Sequence, residues 1–235
     1  MNRKIAVIAA HPDDEILGCG GTSARHITLG HQVSTLIVAE GVVSRYADGR
    51  VEKMREQLAQ LKRAAVAANG RLGVSEVTFL GMPDNRLDKM DRLDLIREIE
   101  KFIARMQPDT IYTHHGADLN IDHRRVFEAV LTAARPQPGV SVKRLLSFEV
   151  PSSTEWQSPA LGQSFVPNWF VDISQFLEQK MTAVDVYQEE MRPWPHARSA
   201  AAIRHLAGWR GASCGCDAAE AFMLVRNIDE RVELQ

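Results

Sequence analysis

The chain alternates short apolar runs, rich in β-branched residues, with longer stretches of helical period, and this alternation limits the folds it can adopt. The short runs lie at Lys4 to Ala10, Gln32 to Ala39, Glu76 to Leu80, Thr110 to Thr113 and Arg144 to Val150. Strands that alternate with helices are typical of βαβ units, in which a right-handed helical crossover joins parallel strands. We therefore predict an α/β fold with an open, mostly parallel sheet whose ligand sites lie beyond the carboxyl ends of its strands.

The stretches between these runs carry apolar residues three and four positions apart, so each predicted helix has one face that can cover a sheet. The three faces are Met54, Leu58, Leu61, Ala65 and Ala68; Leu95, Ile99, Phe102, Ile103 and Met106; and Val126, Phe127, Val130 and Leu131. We expect these helices to cover both faces of the sheet.

The last third of the chain predicts further elements among less regular segments. A strand is predicted at Trp169 to Ile173, a helix at Ser174 to Met191 and another helix at Arg198 to Gly208. Segment 151–167 is rich in Ser, Pro and Gln, and is either a pocket loop or an ordinary surface connection. We expect one domain over residues 1–235, with 198–235 as a C-terminal extension that closes the site.

The composition argues against two classes of partner. The formal net charge of −2 on 235 residues leaves no basic surface for nucleic acid, and no apolar run reaches the length of about 18 residues that a membrane span requires. The apolar run before His11 is too short for a signal peptide, so we expect a cytoplasmic protein. Cys214 and Cys216 have no evident second pair of metal ligands, and we interpret them as small residues of a Gly-rich loop.

The first apolar run leads directly into His11-Pro12-Asp13-Asp14-Glu15, which concentrates one imidazole and three carboxylates in five residues. Carboxylates this close repel one another, so a fold that tolerates them holds a metal ion or raises the pKa of one member. The cluster also falls just beyond a strand, where an α/β sheet presents its reactive groups. It is therefore the first candidate site.

A second cluster of imidazoles and carboxylates follows the fourth predicted strand, between His114 and His123. His123 falls in the first turn of a predicted helix, so its ring can point back over the sheet edge toward His11. Two imidazoles and one carboxylate are a recurring ligand set for a catalytic zinc that keeps one position open for water. We predict that His11, Asp14 and His123 bind a metal, with Zn²⁺ preferred and Fe²⁺ or Co²⁺ able to use the same ligands.

The remaining members of the first cluster receive other roles. Asp13 would be free of the metal and would act as the general base that takes a proton from water. Glu15 would face the positive end of a helix dipole or hold a ligand imidazole from outside. The glycines from Gly18 to Gly21 fall inside the helix, which favours close packing on the sheet over binding of a dinucleotide phosphate.

These residues resemble a known family, the PIG-L or LmbE-like zinc-dependent N-deacetylases, which remove acyl groups from amino sugars and related small molecules. The resemblance covers most of the chain and is carried by Ala10-His11-Pro12-Asp13-Asp14-Glu15 with Gly20-Gly21-Thr22, by Leu80-Gly81-Met82-Pro83-Asp84, by Asn120-Ile121-Asp122-His123-Arg124, by His196-Ala197-Arg198-Ser199 and by Ala219-Glu220-Ala221-Phe222. It implies a Rossmann-like fold and a zinc ion bound by His11, Asp14 and His123, with Asp13 as the base. It also implies hydrolysis of an N-acetyl or other N-acyl group on an amino sugar, a sugar nucleotide or a related glycoside.

The resemblance further implies a substrate pocket lined from the strand ends, with Glu40, Arg55 and Asp84 near the substrate. We expect His115 and Arg198 to contribute to the same pocket. The alternative for Arg55 is a solvated helix residue, and for Asp84 a simple turn.

Asn120 departs from the family pattern, because many members carry a histidine three residues before the last metal ligand. An asparagine can donate a hydrogen bond to the carbonyl oxygen as negative charge develops there, but it cannot protonate the leaving amine. We expect Asp13 to return its proton to that nitrogen, with His196 as a second group near the pocket and His115 as an alternative.

Two other functions compete with hydrolysis of an N-acyl group. A non-haem iron oxygenase could use His11, Asp13 and His123, although that triad is generally found on an all-β jelly roll. A metal-stabilised module could instead recognise a glycan or a partner without catalysis. The partner that we expect is a small N-acetylated substrate, and the oligomeric state, including a homo-oligomer, stays open.

Overall fold

The computed structural model describes residues 2–41, 51–74 and 76–229. Within these residues the chain forms seven strands, which are β1 (Lys4–Ala9), β2 (Gln32–Ala39), β3 (Glu76–Met82), β4 (Thr110–His114), β5 (Arg144–Phe148), β6 (Trp169–Asp172) and β7 (Ala219–Asn227). It also forms six α-helices, which are α1 (Asp14–Thr28), α2 (Val51–Leu72), α3 (Arg92–Met106), α4 (Ile121–Ala133), α5 (Leu177–Val184) and α6 (Ala200–Ala212). Short 3₁₀ turns lie at Leu87–Lys89, Thr154–Trp156 and Asp185–Tyr187.

The seven strands form one sheet in the order β3-β2-β1-β4-β5-β7-β6. The pairings of β3, β2, β1, β4 and β5 with their neighbours are parallel, whereas β7 runs antiparallel to both β5 and β6. The predicted open, mostly parallel α/β sheet is therefore confirmed, with an antiparallel edge. The connection changes direction between β1 and β4, and ligand sites of such sheets lie at that crevice, beyond the carboxyl ends of the strands.

Alternate residues along β1 face opposite helical layers, as the two-residue period of a strand requires. Ala6 and Ile8 pack with α3 and α4, where residues such as Ile99 are fully buried. Ile5 and Val7 pack in the opposite layer, which contains α1, α2 and α5. Helices therefore cover both faces of the sheet, which confirms the prediction and leaves the strand ends as the place where polar groups converge.

Three elements differ from the sequence prediction. The buried face of α4 consists of Val126, Ala129, Val130 and Ala133, whereas Leu131 is exposed. The helix predicted from 174 to 191 is the shorter α5 followed by a 3₁₀ turn. The strand β7 was not predicted, because its apolar pattern is interrupted by Glu220, a buried carboxylate that pairs with a lysine from α5.

The first helix departs from helical geometry at Cys19, whose backbone has φ −150° and ψ 30°. The backbone amides freed by this kink, those of Gly21 and Thr22, donate to the Glu220 carboxylate at 2.9 and 2.7 Å. Lys180 Nζ binds both Glu220 Oε1, at 2.6 Å, and the carbonyl oxygen of Leu17, at 2.8 Å. A buried ion pair thus caps the two halves of the kinked helix.

Close packing of the glycine stretch on the sheet is confirmed. A Cβ atom added at Gly18 would lie 2.3 Å from the ring of Phe148 on β5. The anion that the stretch binds through its amides is a carboxylate of the protein itself. No helix of the described residues combines the length and apolar character that crossing a membrane requires.

Candidate active site

The candidate site lies at the crevice between β1 and β4. His11 follows β1 after a turn of one residue, and His114 ends β4, which is the strand next to β1 in the sheet. The polypeptide after β4 then returns over the same edge to begin α4, which carries His123. The two clusters that lie over a hundred residues apart in the sequence therefore meet in space.

Asp14 lies between His11 of the first cluster and His123 of the second. Its Oδ2 is 3.3 Å from His11 Nδ1 and 3.2 Å from His123 Nε2, and the three residues offer ligand atoms within 4.8 Å of one another. Its Oδ1 is buried without a hydrogen-bond partner among the described residues. A buried carboxylate oxygen with no donor is costly unless a cation occupies the space it faces.

Each of the two imidazoles has a carboxylate on its other side. His11 Nε2 lies 3.2 Å from Asp84 Oδ1 and 3.1 Å from Asp122 Oδ2, and His123 Nδ1 lies 3.1 Å from Asp118 Oδ1. A carboxylate behind a metal-binding histidine fixes the ring orientation and makes the nitrogen that faces the metal more basic. His11 also groups with Asp84 and Asp122 as a second set of three ligand atoms, but its Nε2 is then shared with two carboxylates.

The charges of this cluster balance through protons on the histidines in the metal-free molecule. Burial alone would lower the pKa of His123, but the Asp14 and Asp118 carboxylates raise it to about 9. Burial is likewise overcome at His11, where hydrogen bonds with Asp122, Asp14 and Asp84 raise the pKa well above its ordinary value. Burial would raise the pKa of Asp14, but the charge of His123 and the hydrogen bonds with His11 and His123 together hold it well below its ordinary value. A divalent cation can take the place of these protons, so the donor set fits a metal.

Asp118 is held by the segment that follows β5. Its carboxylate accepts hydrogen bonds from the hydroxyls of Ser153 and Thr154 and from the backbone amide of Asn120 at 2.9 Å. Burial raises its pKa, but the hydrogen bond from His123 and the two hydroxyls lower it well below its ordinary value. The start of segment 151–167 therefore fixes the carboxylate that orients His123.

Asp13 has φ 109° and ψ −32°, a backbone conformation that residues with a side chain rarely adopt and that costs about 1–3 kcal/mol. Its Oδ2 accepts a hydrogen bond from Arg198 Nη1 at 2.6 Å, and Arg198 Nε also donates to Ser152 Oγ at 2.8 Å. Burial raises the pKa of Asp13 to about 7 against the opposing charge of Arg198. The side chain is buried next to the cluster without being one of its central ligands.

Glu15 supports the backbone of Asp13. Its Oε2 accepts from the Asp13 amide at 3.0 Å, and its Oε1 accepts from Tyr187 Oη at 2.6 Å and from Asn69 Nδ2 at 3.0 Å. Burial raises the pKa of Glu15 to about 8, which the Tyr187 hydroxyl partly opposes. Glu15 thus lies in the first turn of α1, at the end that the predicted helix-dipole role requires, and it also joins α1 to α2 and to the turn after α5.

The structure places two predicted pocket residues in supporting positions. Asn120 caps α4, because its Oδ1 accepts from the Asp122 amide at 2.8 Å, and its Nδ2 donates to Asn85 Oδ1 at 3.4 Å. His115 is buried, and its Nε2 lies 2.8 Å from the carbonyl oxygen of Gln163, so it holds the far part of segment 151–167.

The remaining predicted site residues, His196, Glu40 and Arg55, differ in burial and in contacts. His196 is half-buried, accepts a hydrogen bond from the Arg198 amide at its Nδ1, at 3.0 Å, and packs edge-on against Trp156. Glu40 is half-buried just after β2, where its amide donates to the carbonyl oxygen of Met82. Arg55 is exposed on α2, and no contact among the described residues joins it to the cluster.

Four residues that complete the site received no role in the sequence prediction. Asp118 and Asp122 have a local signal, since both lie in the same loop and helix start as His123. His114 also has one, because it ends β4; its Nε2 accepts from the Ala10 amide at 2.7 Å, and its ring stacks on His123 at 3.9 Å. Tyr187 has no local signal, because its contact with the first cluster spans 172 residues.

The chain is similar to known deacetylases. The family model described as PIG-L: GlcNAc-PI de-N-acetylase matches residues 6–134. A diacetylchitobiose deacetylase from Thermococcus kodakarensis is 30% identical over 200 residues, which cover 80% of this chain and 70% of the relative.

Solved structures share the fold. The N,N'-diacetylchitobiose deacetylase from Pyrococcus horikoshii has a TM-score of 0.77 at 20% identity, and the match covers 95% of this chain and 84% of that one. The 4-carboxy-2-hydroxymuconate hydratase GalB from Pseudomonas putida KT2440 has a TM-score of 0.76 at 19% identity, covering 99% and 100%. Because this fold serves both a deacetylase and a hydratase, the chemistry must be argued from the site.

Proposed function

The chain belongs to the PIG-L family, and on that basis we propose that it is a metal-dependent hydrolase that removes the N-acetyl group from an amino-sugar compound. The observation that carries the proposal is the grouping of His11, Asp14 and His123, with ligand atoms within 4.8 Å of one another, beside the buried Asp13. A ligand set of two imidazoles and one carboxylate next to a separate carboxylate base suits hydrolysis of an amide.

We assign the metal to His11, Asp14 and His123. The orphaned Asp14 Oδ1 and the carboxylates behind both imidazoles support this assignment. When bound, the cation would lower the pKa of a coordinated water and polarise the amide carbonyl. We propose Zn²⁺ because these two tasks need no redox chemistry, and Fe²⁺ or Co²⁺ fits the same donors.

Asp13 would act as the general base. Arg198 binds its Oδ2, so Oδ1 is the oxygen that would take the proton from the attacking water. A pKa of about 7 in the metal-free molecule, which burial produces, suits a group that must accept a proton and then release it. The φ of 109° would be maintained by the Glu15 carboxylate on the Asp13 amide and by Arg198 on its side chain.

Protonation of the leaving amine would fall to Asp13, which returns the proton it took, with His196 as a second donor. The Nδ1 of His196 accepts from the Arg198 amide, so the neutral ring carries its proton on Nε2 and can donate it. Asn120 would donate from Nδ2 to the carbonyl oxygen in place of its long 3.4 Å bond with Asn85.

The proposed substrate is an N-acetylglucosamine compound, because the similar proteins are named as deacetylases of such compounds. We propose that Glu40, Asp84 and Arg198 contact it around the cluster and that segment 151–167 forms a wall of the pocket. Trp156 is 54% exposed beside His196 and offers an aromatic face to a sugar ring there.

The test is release of a free amine. Metal-free protein is reloaded with Zn²⁺ and incubated with N-acetylglucosamine, its N,N'-diacetylated disaccharide, an N-acetylated sugar nucleotide and simple glycosides. The free amine is measured with a fluorogenic reagent. Amine and acetate should appear in equal amounts in the absence of oxygen, and chelation of the metal should abolish their release. Failure of every substrate with every one of the three metals would contradict the proposal.

The same assay separates the alternatives. Turnover that requires oxygen and a co-substrate would favour the oxygenase, and binding of the sugars without amine release would favour a recognition module. Addition of water to the carbon–carbon double bond of an unsaturated substrate, measured as loss of its absorbance, would instead favour a hydratase activity.

A further inference from the structure

Two thiols lie side by side on the surface just after α6. The Sγ atoms of Cys214 and Cys216 are 3.6 Å apart, and Cys214 is exposed while Cys216 is half-buried. Gly215 lies between them with φ 84°, a backbone conformation that side chains rarely adopt and that turns the chain tightly enough to bring both sulfurs to one side.

The backbone holds this pair in place. The amides of Cys214, Gly215 and Cys216 all donate to the carbonyl oxygen of Gly211, at 3.0, 2.8 and 3.0 Å. Gly211 itself is in close contact with the turn, since an added Cβ would lie 2.5 Å from the Cys216 carbonyl oxygen. The conformational entropy of bringing the two thiols together is therefore lost on folding and not when they react.

Cys214 and Cys216 can react with each other, whereas the third cysteine cannot reach either of them. Cys19 is completely buried inside α1, so it cannot reach the surface pair or an oxidant in solution without unfolding. Cys216 Sγ lies 3.4 Å from the carbonyl oxygen of Ala218, to which it donates, so the half-buried thiol is anchored while Cys214 faces solvent. The exposed thiol is the one that a reagent meets first.

We propose that Cys214 and Cys216 form a reversible dithiol–disulfide site that exchanges with low-molecular-weight disulfides. The Cys214 thiolate attacks one sulfur of the small disulfide, which forms a mixed disulfide and releases one small thiol. Cys216 loses its proton to solvent and attacks Cys214 Sγ, so the intramolecular bond forms and the second small thiol leaves. Two protein thiols are oxidised, and one small disulfide is reduced to two thiols.

The ring that closes contains a single intervening residue, and this limits the role of the bond. Such a small ring strains disulfide geometry, and strained or exposed disulfides are the more easily reduced ones. The site is therefore a redox-responsive one and not a structural link between distant parts of the fold.

The test uses the full chain in glutathione buffers of graded oxidised-to-reduced ratio, quenched with acid, alkylated and digested with trypsin. As the ratio rises, the peptide 211–226 should appear in an unalkylated form that is two hydrogen atoms lighter, as a disulfide requires. As the ratio falls, both thiols should return and be alkylated. Cys19 should be alkylated only after unfolding. Cys216→Ser should retain glutathione on Cys214, because the second thiol that releases it is gone.

Three outcomes would overturn the proposal. They are glutathione that stays attached to wild-type Cys214, an intermolecular disulfide between the Cys214 residues of two chains, and two free thiols at every ratio of oxidised to reduced glutathione. The peptide mass of the wild-type chain decides between them even if a variant fails to fold. The assay involves no substrate and no metal, so its result is independent of the proposed hydrolase activity.

Discussion

Arg198 Nη1 donates a hydrogen bond to Asp13 Oδ2 at 2.6 Å, and the two residues are 185 positions apart. The same guanidinium binds Ser152 Oγ, and both Asp13 and Ser152 have positive φ, at 109° and 69°. The proposed base is thus fixed by the segment that precedes α6 as well as by its own turn. Arg198 was expected in the substrate pocket, and its guanidinium lies beside the first cluster through this contact with Asp13.

Replacing Asp13 tests the base directly. Asp13→Asn should retain the metal and lower kcat by about 10²- to 10⁴-fold, because an amide cannot accept the proton of the attacking water. Elemental analysis and amine release measure the two effects. Asp94→Asn, at an exposed position on α3, should change neither. An Asp13→Asn enzyme of wild-type activity would refute the assignment.

Metal content tests the ligand set. His123→Ala should lose most of its Zn²⁺ after dialysis, since it removes a buried ligand whose orientation Asp118 fixes. His205→Ala, at an exposed histidine that contacts Trp194, is the matched control and should keep the wild-type zinc content. Equal zinc in the two variants would contradict the role of His123.

Tyr187 should matter for turnover through Glu15. Tyr187→Phe removes the 2.6 Å hydrogen bond to Glu15 Oε1, which loosens the carboxylate that holds the Asp13 amide. We expect kcat to fall roughly 10- to 100-fold with little change in KM or metal content. Tyr112→Phe removes another buried hydroxyl, 3.0 Å from His26 Nε2, and should lower stability while leaving kcat intact. A similar kcat for both variants would leave Tyr187 a purely structural residue.

The metal-free protein should lose stability as the pH rises from about 6.5 to about 9. The folded state holds the His123 proton more tightly than the unfolded chain does, since its pKa rises from 6.5 to about 9 on folding. The stabilisation is complete below pH 6.5 and is lost through pH 9, by up to about 3 kcal/mol. The raised pKa of Glu15, about 8, acts in the same direction.

Thermal unfolding with and without Zn²⁺ measures this dependence. Metal binding displaces the proton, so the difference in Tm between loaded and metal-free protein should grow with pH. A metal-free Tm that rises between pH 6.5 and 9 would contradict the charge balance described for the cluster.

The packing of α1 predicts contrasting effects of two glycine substitutions. Gly18→Ala should lower the free energy of unfolding by about 1–3 kcal/mol, because its Cβ would lie 2.3 Å from the Phe148 ring. Gly70→Ala, within α2 and with open space around its added Cβ, should be stabilising by about 0.5–1 kcal/mol. Urea unfolding of both variants provides the comparison, and equal stabilities would contradict the close contact.

The alternation of strands and helices and the polar groups at two strand ends could be predicted from the amino-acid sequence. Those features depend on local periodicity, and β2 was predicted with its observed bounds, Gln32–Ala39. The meeting of the two clusters also followed from local pattern, because the carboxyl ends of parallel strands share one edge of a sheet. The candidate ligands His11, Asp14 and His123 could therefore be named from the sequence.

The groups that surround those ligands come from distant segments of the chain and could not be predicted from its sequence. Tyr187 reaches Glu15 and Arg198 reaches Asp13 across more than 170 residues, and neither contact leaves a periodic signal in the chain. The strand β7 was hidden for a similar reason, since the burial of Glu220 depends on Lys180 from another element. A buried charge is tolerated only with its partner, and the partner is chosen by packing between distant segments.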